Sequence, residues 1–245
     1  MNTDLTFITN EPPHNLLERF KELIRDTDKF DALVGYFYLT GFHELYPSLE
    51  TTEKIRILIG ISTKGSTLKL IQNTFKDGQQ ELNYSHKESL DHLKDNASKE
   101  LENSQDNRSI EKGVDKFKEW LLSSKLEVRV YPSDDIHAKL YIMTFKQGDK
   151  DTGRIITGSS NFSKGGLVDN IEFNVELKNY TDYNFAITKF NELWENSIDA
   201  NDVLIDVITT SWINKEITPY ELYLKMLLEY FKDKINLDLD DFSND

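Results

Sequence analysis

The chain has 245 residues, 38% of them hydrophobic and 29% charged, with a formal net charge of −14 and no cysteine. That is enough apolar material for one large domain, or one domain with an appendage. The absence of cysteine excludes disulfides and thiolate metal sites. No run of 18 apolar residues is present and the opening MNTDLTFITNEPPHN is not a secretory leader, so a cytoplasmic protein with no membrane span is expected. The charge speaks against tight, sequence-independent nucleic-acid binding. Residues 199–245, with 11 acidic and 4 basic side chains, carry half of it (4 − 11 = −7). A substrate surface is therefore expected on the body, where Lys54, Arg56, Lys64, Arg129, Lys139, Lys146 and Arg154 are available.

Pro12-Pro13 lead into Leu16, Leu17, Phe20, Leu23 and Ile24, spaced along one helical face. Phe30–Tyr38 and Ile55–Ile61 read as buried strands, with a short helix at Gly41–Leu49 between them, which suggests a parallel unit. Residues 64–124 are polar. Their narrow stripe of Leu90, Leu93, Ala97 and Leu101 predicts a helical insertion that covers an edge or reaches a partner, followed by a helix bearing Ile110, Val114, Phe117 and Leu121. Strands are expected at Leu126–Tyr131, His137–Phe145, Gly153–Thr157 and Ile171–Leu177, with a hairpin loop at Gln147–Gly153. Tyr183, Ala186, Phe190, Leu193 and Trp194 mark a packed helix. Thr218-Pro219-Tyr220-Glu221 caps a last one, whose face of Leu222, Leu224, Leu227, Leu228 and Phe231 is expected to pack on its own domain.

The chemistry lies between residues 137 and 172. On a strand, His137 and Lys139 share one face with Tyr141 and Met143, while Ala138, Leu140 and Ile142 point into apolar packing. The next strand ends in Gly158-Ser159-Ser160-Asn161, a turn in which Gly158 lets a phosphate approach and Ser159 and Asn161 offer donors. On the following strand Ile171, Phe173, Val175 and Leu177 are expected to be buried, which turns Asn170, Glu172 and Asn174 to the other face. An imidazole can attack phosphorus, a carboxylate can steer it, and an ammonium and a side-chain amide can stabilise the charge that develops. His92-Leu93-Lys94 imitates the short motif but has no Gly-Ser-x-Asn after it. One set of residues supplies one histidine. A two-fold homodimer would bring a second to act as acid.

His137-x-Lys139, the spacer, Gly158-Ser159-Ser160-Asn161 and then Asn170-Ile171-Glu172 resemble the phospholipase D superfamily. The motif covers about 36 residues, and the strand order around it extends the likeness over most of the first 197. The resemblance implies His137 as nucleophile or acid/base, Lys139, Ser159 and Asn161 as phosphate ligands, and Glu172 as the residue that orients the histidine. Gly158, Ser160, Asn170 and Thr144 would be supporting residues. Single-motif members of the superfamily are typically homodimeric nucleases needing no metal or other cofactor, including a type IIS restriction endonuclease. The opening strands and TPYELYLKML also look like the leading domain of bacterial superfamily-2 helicase proteins, so a helicase domain is a candidate partner. The family usually has an aspartate five residues after the lysine. Thr144 stands there in this chain.

The expected fold is α/β: a mixed sheet flanked by helices on both faces, with a helical insertion (64–124) inside a domain spanning 1–197 and a C-terminal helical extension at 198–245. The expected activity is metal-independent phosphodiester cleavage, most readily of DNA, with no metal and no membrane partner. A catalytically silent binding module for nucleic acid or a helicase is the first alternative, and a lipid hydrolase the second. No basic or aromatic amphipathic surface helix supports the latter.

Overall fold

The computed structural model describes residues 6–11, 15–35, 37–60, 78–103, 108–132, 136–211, and 219–231 apart from 221, 222, 225 and 229. Pro12-Pro13, Tyr36, Lys64, Thr218, Glu221, Leu222 and the acidic 232–245 end lie outside these. Among the described residues one mixed sheet of eight strands organises the chain: β1 (Phe7–Ile8), β2 (Thr27–Val34), β3 (Lys54–Gly60), β4 (Leu126–Tyr131), β5 (Lys139–Phe145), β6 (Gly153–Gly158), β7 (Asn174–Leu177) and β8 (Ile198–Asp199). Their order is β1-β7-β6-β5-β2-β3-β4-β8. β2, β3 and β4 run parallel, and every other pairing is antiparallel.

The helices are α1 (Leu16–Ile24), α2 (Leu39–Leu49), α3 (Gly78–Asn103), α4 (Arg108–Leu122), α5 (Tyr180–Glu195) and α6 (Asn201–Thr210), with a π-turn at Gly165–Asp169. Helix α1 starts where Asn15 accepts the Leu17 amide at 2.8 Å, and it buries all five residues of its apolar stripe. The larger apolar layer joins α1, α2, α3, α4 and α6 to one face of the sheet. The smaller packs α5, through Tyr183, Ala186, Phe190 and Trp194, on the other. Both faces are thus covered, as expected for α/β. Among the described residues no helix is long and apolar enough to cross a membrane.

Several local expectations change. The described part of 64–124, expected to cover an edge or reach a partner, packs on the sheet's face. β3 and β4 are parallel neighbours, so the chain between them must cross over the sheet. α3 and α4 occupy that crossover, and Leu93, Ala97 and Leu101 are buried in the main core. The sheet also continues past residue 197: β8 pairs with β4, and α6 buries Leu204, Val207 and Ile208. The described part of the last helix, expected to pack on its own domain, leaves Leu224, Met226, Leu228 and Tyr230 exposed.

β2 starts and ends earlier than expected, and Phe37 leaves the sheet to form a bridge with Phe162. A Cβ on Gly60 would stand 2.5 Å from Ile136 Cβ, and one on Gly35 would stand 3.8 Å from His137 Cα. The segment leading to β5 passes directly over these two glycines.

Candidate active site

Register brings the motif together. Val34 pairs with Lys139, Leu140 with Thr157, and Gly158 with Asn174. One transverse row therefore runs Val34, Lys139, Gly158, Asn174 across four strands, with neighbouring strands ~4.8 Å apart. His137 lies two residues before Lys139, Ser159–Asn161 follow the end of β6, and Glu172 lies two residues before Asn174. All are at the carboxyl end of parallel β2, β3 and β4, the end where open α/β sheets bind ligands.

His137 is exposed and precedes the first strand residue, so the expected strand His137–Phe145 is shorter by two. Ala138 is exposed as well, not directed into apolar packing. Lys139 reaches back to the His137 carbonyl at 3.3 Å. Among the described residues the His137 imidazole has no hydrogen-bond partner. The other described cations of the expected substrate surface are engaged. Arg56 holds Asp31 at 2.5 and 2.8 Å, Lys54 holds Glu127, Arg154 holds Asp151, Arg129 meets the Trp194 carbonyl at 3.1 Å and Lys146 the Arg25 carbonyl at 3.0 Å. Of the described members of that set, Lys139 is the one that lies at the motif, and its bond to the His137 carbonyl keeps it there.

The Gly-Ser-Ser-Asn turn departs from expectation in two ways. A Cβ on Gly158 would stand 2.6 Å from Asn174 Cα, so its missing side chain admits the β7 backbone rather than a phosphate. Ser159 donates its hydroxyl to Glu172, while the Phe173 amide donates to Ser159 Oγ at 3.0 Å. The carboxylate expected to steer His137 is therefore held by the serine expected to bind phosphate. Asn161 turns its Oδ1 inward, buried and without a partner among the described residues. An unpaired buried acceptor costs about 1–3 kcal/mol. Such a cost marks a side chain held in place by its surroundings.

β7 reverses the expected burial. Ile171 and Phe173 are 72% and 65% exposed, whereas Asn174 and Glu176 are buried at 0% and 1%. Helix α5 packs mainly over β4, β5 and β6, and Leu177 at the end of β7 packs, partly buried, against its layer. On the opposite face Glu176 accepts two hydrogen bonds from Arg19, at 2.7 and 2.8 Å, which hold its guanidinium above its ordinary pKa. The Asn170 amide closes the π-turn onto the Gly165 carbonyl at 2.9 Å.

Thr144 lies at the other end of β5 and on the other face. Its hydroxyl shares a 2.8 Å hydrogen bond with Tyr183 on α5. It cannot support the motif by contact. One residue escaped the sequence reading altogether: Asn10 donates to the carbonyls of Gly166 at 3.0 Å and Asn170 at 2.8 Å, clamping the π-turn from 156 and 160 residues away. No sequence signal joins partners so distant. The N-terminus of α2 also abuts the site, Tyr38 donating to the Phe162 carbonyl at 3.1 Å, but its first amide is occupied by Glu100 at 2.8 Å.

Sheet topology and the clustered His-x-Lys and Gly-Ser-x-Asn elements define an α/β protein with a candidate phosphoryl-transfer site. Residues 29–194 match the sequence profile described as "Cardiolipin synthase, PLD-like domain". The match covers well over half of the chain, and the protein belongs to this phospholipase D-like family. No curated protein matches it in sequence. Among solved structures, Nuc from Salmonella typhimurium, a phospholipase D family member, shares 14% identity, with 79% of this chain and 95% of that one covered and a TM-score of 0.44. NucT from Helicobacter pylori shares 10%, covering 79% and 97%, at 0.41. The phosphatidylserine synthase of Haemophilus influenzae Rd KW20 shares 15%, covering 96% and 46%, at 0.47. The family assignment rests on the profile match alone.

Proposed function

We propose that the protein is a metal-independent nuclease that cleaves DNA through a phosphohistidine in a homodimeric site, acting in the cytoplasm. The observation that carries the reading is the convergence of His137, Lys139, the Ser159–Asn161 turn and Glu172 at one end of three adjacent strands. One nitrogen of His137 attacks phosphorus as the bond to the leaving oxygen breaks. A second copy's histidine gives that oxygen a proton, then takes one from the water that displaces His137 from phosphorus. Lys139 and Asn161 stabilise the non-bridging oxygens. A hydroxyl has a single proton. Ser159 must therefore pass its own from Glu172 to the phosphate, which leaves the carboxylate for His137. A helicase-type partner, supplying DNA affinity that a charge of −14 denies, is the reading we attach to the exposed residues of 219–231.

The test is cleavage of labelled DNA in excess EDTA by wild type and His137→Ala, with trapping of a covalent adduct and sedimentation analysis of the native assembly. Expected are EDTA-resistant cleavage, its loss in the variant, a labelled histidine and a dimer. Activity abolished by chelation would remove the metal-free mechanism, and a monomer with full activity would remove the shared site. The competing reading, a silent binding module, draws on the pairing of most body cations. DNA retained on the protein without any cleavage would favour it.

A further inference from the structure

Ser160, the middle residue of the turn, is completely buried, and so are the two side chains that hold it, Tyr141 and Asn174. The Tyr141 hydroxyl donates to the Ser160 carbonyl at 2.8 Å. Asn174 donates through Nδ2 to Ser160 Oγ at 2.9 Å and accepts the Ser160 amide on Oδ1 at 3.4 Å. Every polar group of Ser160 is therefore engaged, by residues from two different strands. Its neighbours are treated differently. Ser159 is exposed, and Asn161 is half-buried with its side-chain oxygen unpaired among the described residues.

We propose that Tyr141 and Asn174 are positioning residues that fix, through Ser160, the angle at which Ser159 and Asn161 meet a phosphate. The inference rests on the phosphodiesterase reading above. A turn pinned at its centre can present its flanking side chains in one orientation only, and the clasp supplies that pin from beneath the site. Preorganised donors need no rearrangement when charge develops, which is where their advantage over water lies. Tyr141 suits the task because burial, with the nearby Glu172 charge adding to it, raises its pKa and keeps the phenol protonated. Its ring is locked among Phe20, Phe30 and Phe162, at centroid separations of 5.0, 6.4 and 6.2 Å. The hydroxyl therefore has little freedom to follow a shifting carbonyl. Gly166 closes the other side, since a Cβ there would stand 2.8 Å from the Asn161 nitrogen.

The test is a double-mutant cycle on diester cleavage. Tyr141→Phe keeps the ring contacts and removes one hydroxyl. It should lower kcat/KM roughly tenfold, chiefly through kcat, because small misplacements of a donor are felt in the transition state. In a Ser159→Ala/Asn161→Ala background the same change should cost less than about twofold, since a positioning residue loses its effect once both its clients are gone. Ser160→Ala, which deprives Asn174 of its acceptor, should show the same non-additivity. Equal losses in both backgrounds would make the pair ordinary core residues and overturn the proposal. Hydrogen exchange of the Ser160 amide reads the clasp without turnover: faster exchange in Tyr141→Phe, with β2 and β3 unchanged, supports it, and unaltered exchange overturns it. Wild type that cleaves nothing defeats the phosphodiesterase reading, and the exchange measurement still decides the clasp. Wild type that cleaves, with additive losses, defeats the clasp alone.

Discussion

The two ends of β5 handle polar side chains in opposite ways. At its start, the preceding His137 is exposed with its imidazole unpaired among the described residues, Asn161 keeps an unpaired buried oxygen, and Gly60 makes room for the approaching chain. At its far end Thr144 is bonded to Tyr183, and beside it Asp31, completely buried, is matched by both arms of Arg56. Both ends are polar, but among the described residues His137 and Asn161 leave hydrogen-bonding capacity unused, whereas Thr144 and Asp31 do not. That capacity, rather than polarity itself, separates a site from a scaffold in this sheet.

His137→Ala tests the contrast most directly, with an expected activity loss of about 10⁴-fold, ~5 kcal/mol in the barrier. Because the side chain is exposed and unpaired among the described residues, stability should move by less than about 0.5 kcal/mol. A variant that unfolds as it loses activity would show that the open end is structural after all.

Asp31→Ala, toward the closed end, should do the reverse, removing both acceptors of the Arg56 hydrogen bonds and leaving that guanidinium buried without a partner, at a cost of roughly 3–5 kcal/mol of stability. Burial, opposed by Arg56, holds the Asp31 carboxyl above its ordinary value. A raised carboxyl contributes stability that is fully present below the unfolded pKa and is lost as pH rises through the folded one. The native protein therefore gains from Asp31 on acidification, and the variant does not. Urea melts at pH 7 and near pH 4.5 should show the gap between them widening toward acid. A gap that narrows would reverse the assigned cause.

Much of this division was legible in the sequence. Strand parity put Lys139 with Tyr141 and Met143 on one face, and the motif spacing placed its pieces at one end of the sheet. What failed was burial. An alternating Ile171, Phe173, Val175, Leu177 reads as a buried face, yet Ile171 and Phe173 precede β7 and stay exposed while Leu177 meets the α5 layer, and a single sequence does not say how much of a strand a helix covers. The polar stripe of α3 looked too narrow for a core, because the crossover demanded by parallel β3 and β4 becomes visible only once their pairing is known. Gly158 illustrates the same limit: its place in the motif was clear, but not that the β7 backbone, rather than a ligand, fills the space beside it.

Gly158→Ala sharpens that last point. Its Cβ would meet the Phe173 carbonyl and Asn174 Cα, so β6 and β7 must part at a cost of about 1–3 kcal/mol. Ser159 N–H also bonds the Phe173 carbonyl, at 3.0 Å, so cleavage should fall with stability. Normal stability accompanied by weaker phosphate binding would instead restore the idea that the glycine serves the ligand.

The smallest effect is expected at Thr144, where the family usually has aspartate. Five residues at ~3.3 Å each separate it from Lys139, and alternation turns it to the α5 face. Thr144→Val removes one hydrogen bond, to Tyr183, and should cost about 1 kcal/mol of stability. Burial already holds the Tyr183 phenol above its ordinary pKa, and losing a partner that favours the ionised form should raise it further. Cleavage should stay within about twofold of wild type. A loss of tenfold or more in a variant that still melts normally would mean that the two ends of β5 are coupled through the strand. The threonine would then tune the site from behind, and the separation between working end and scaffold end would fail where it looks cleanest.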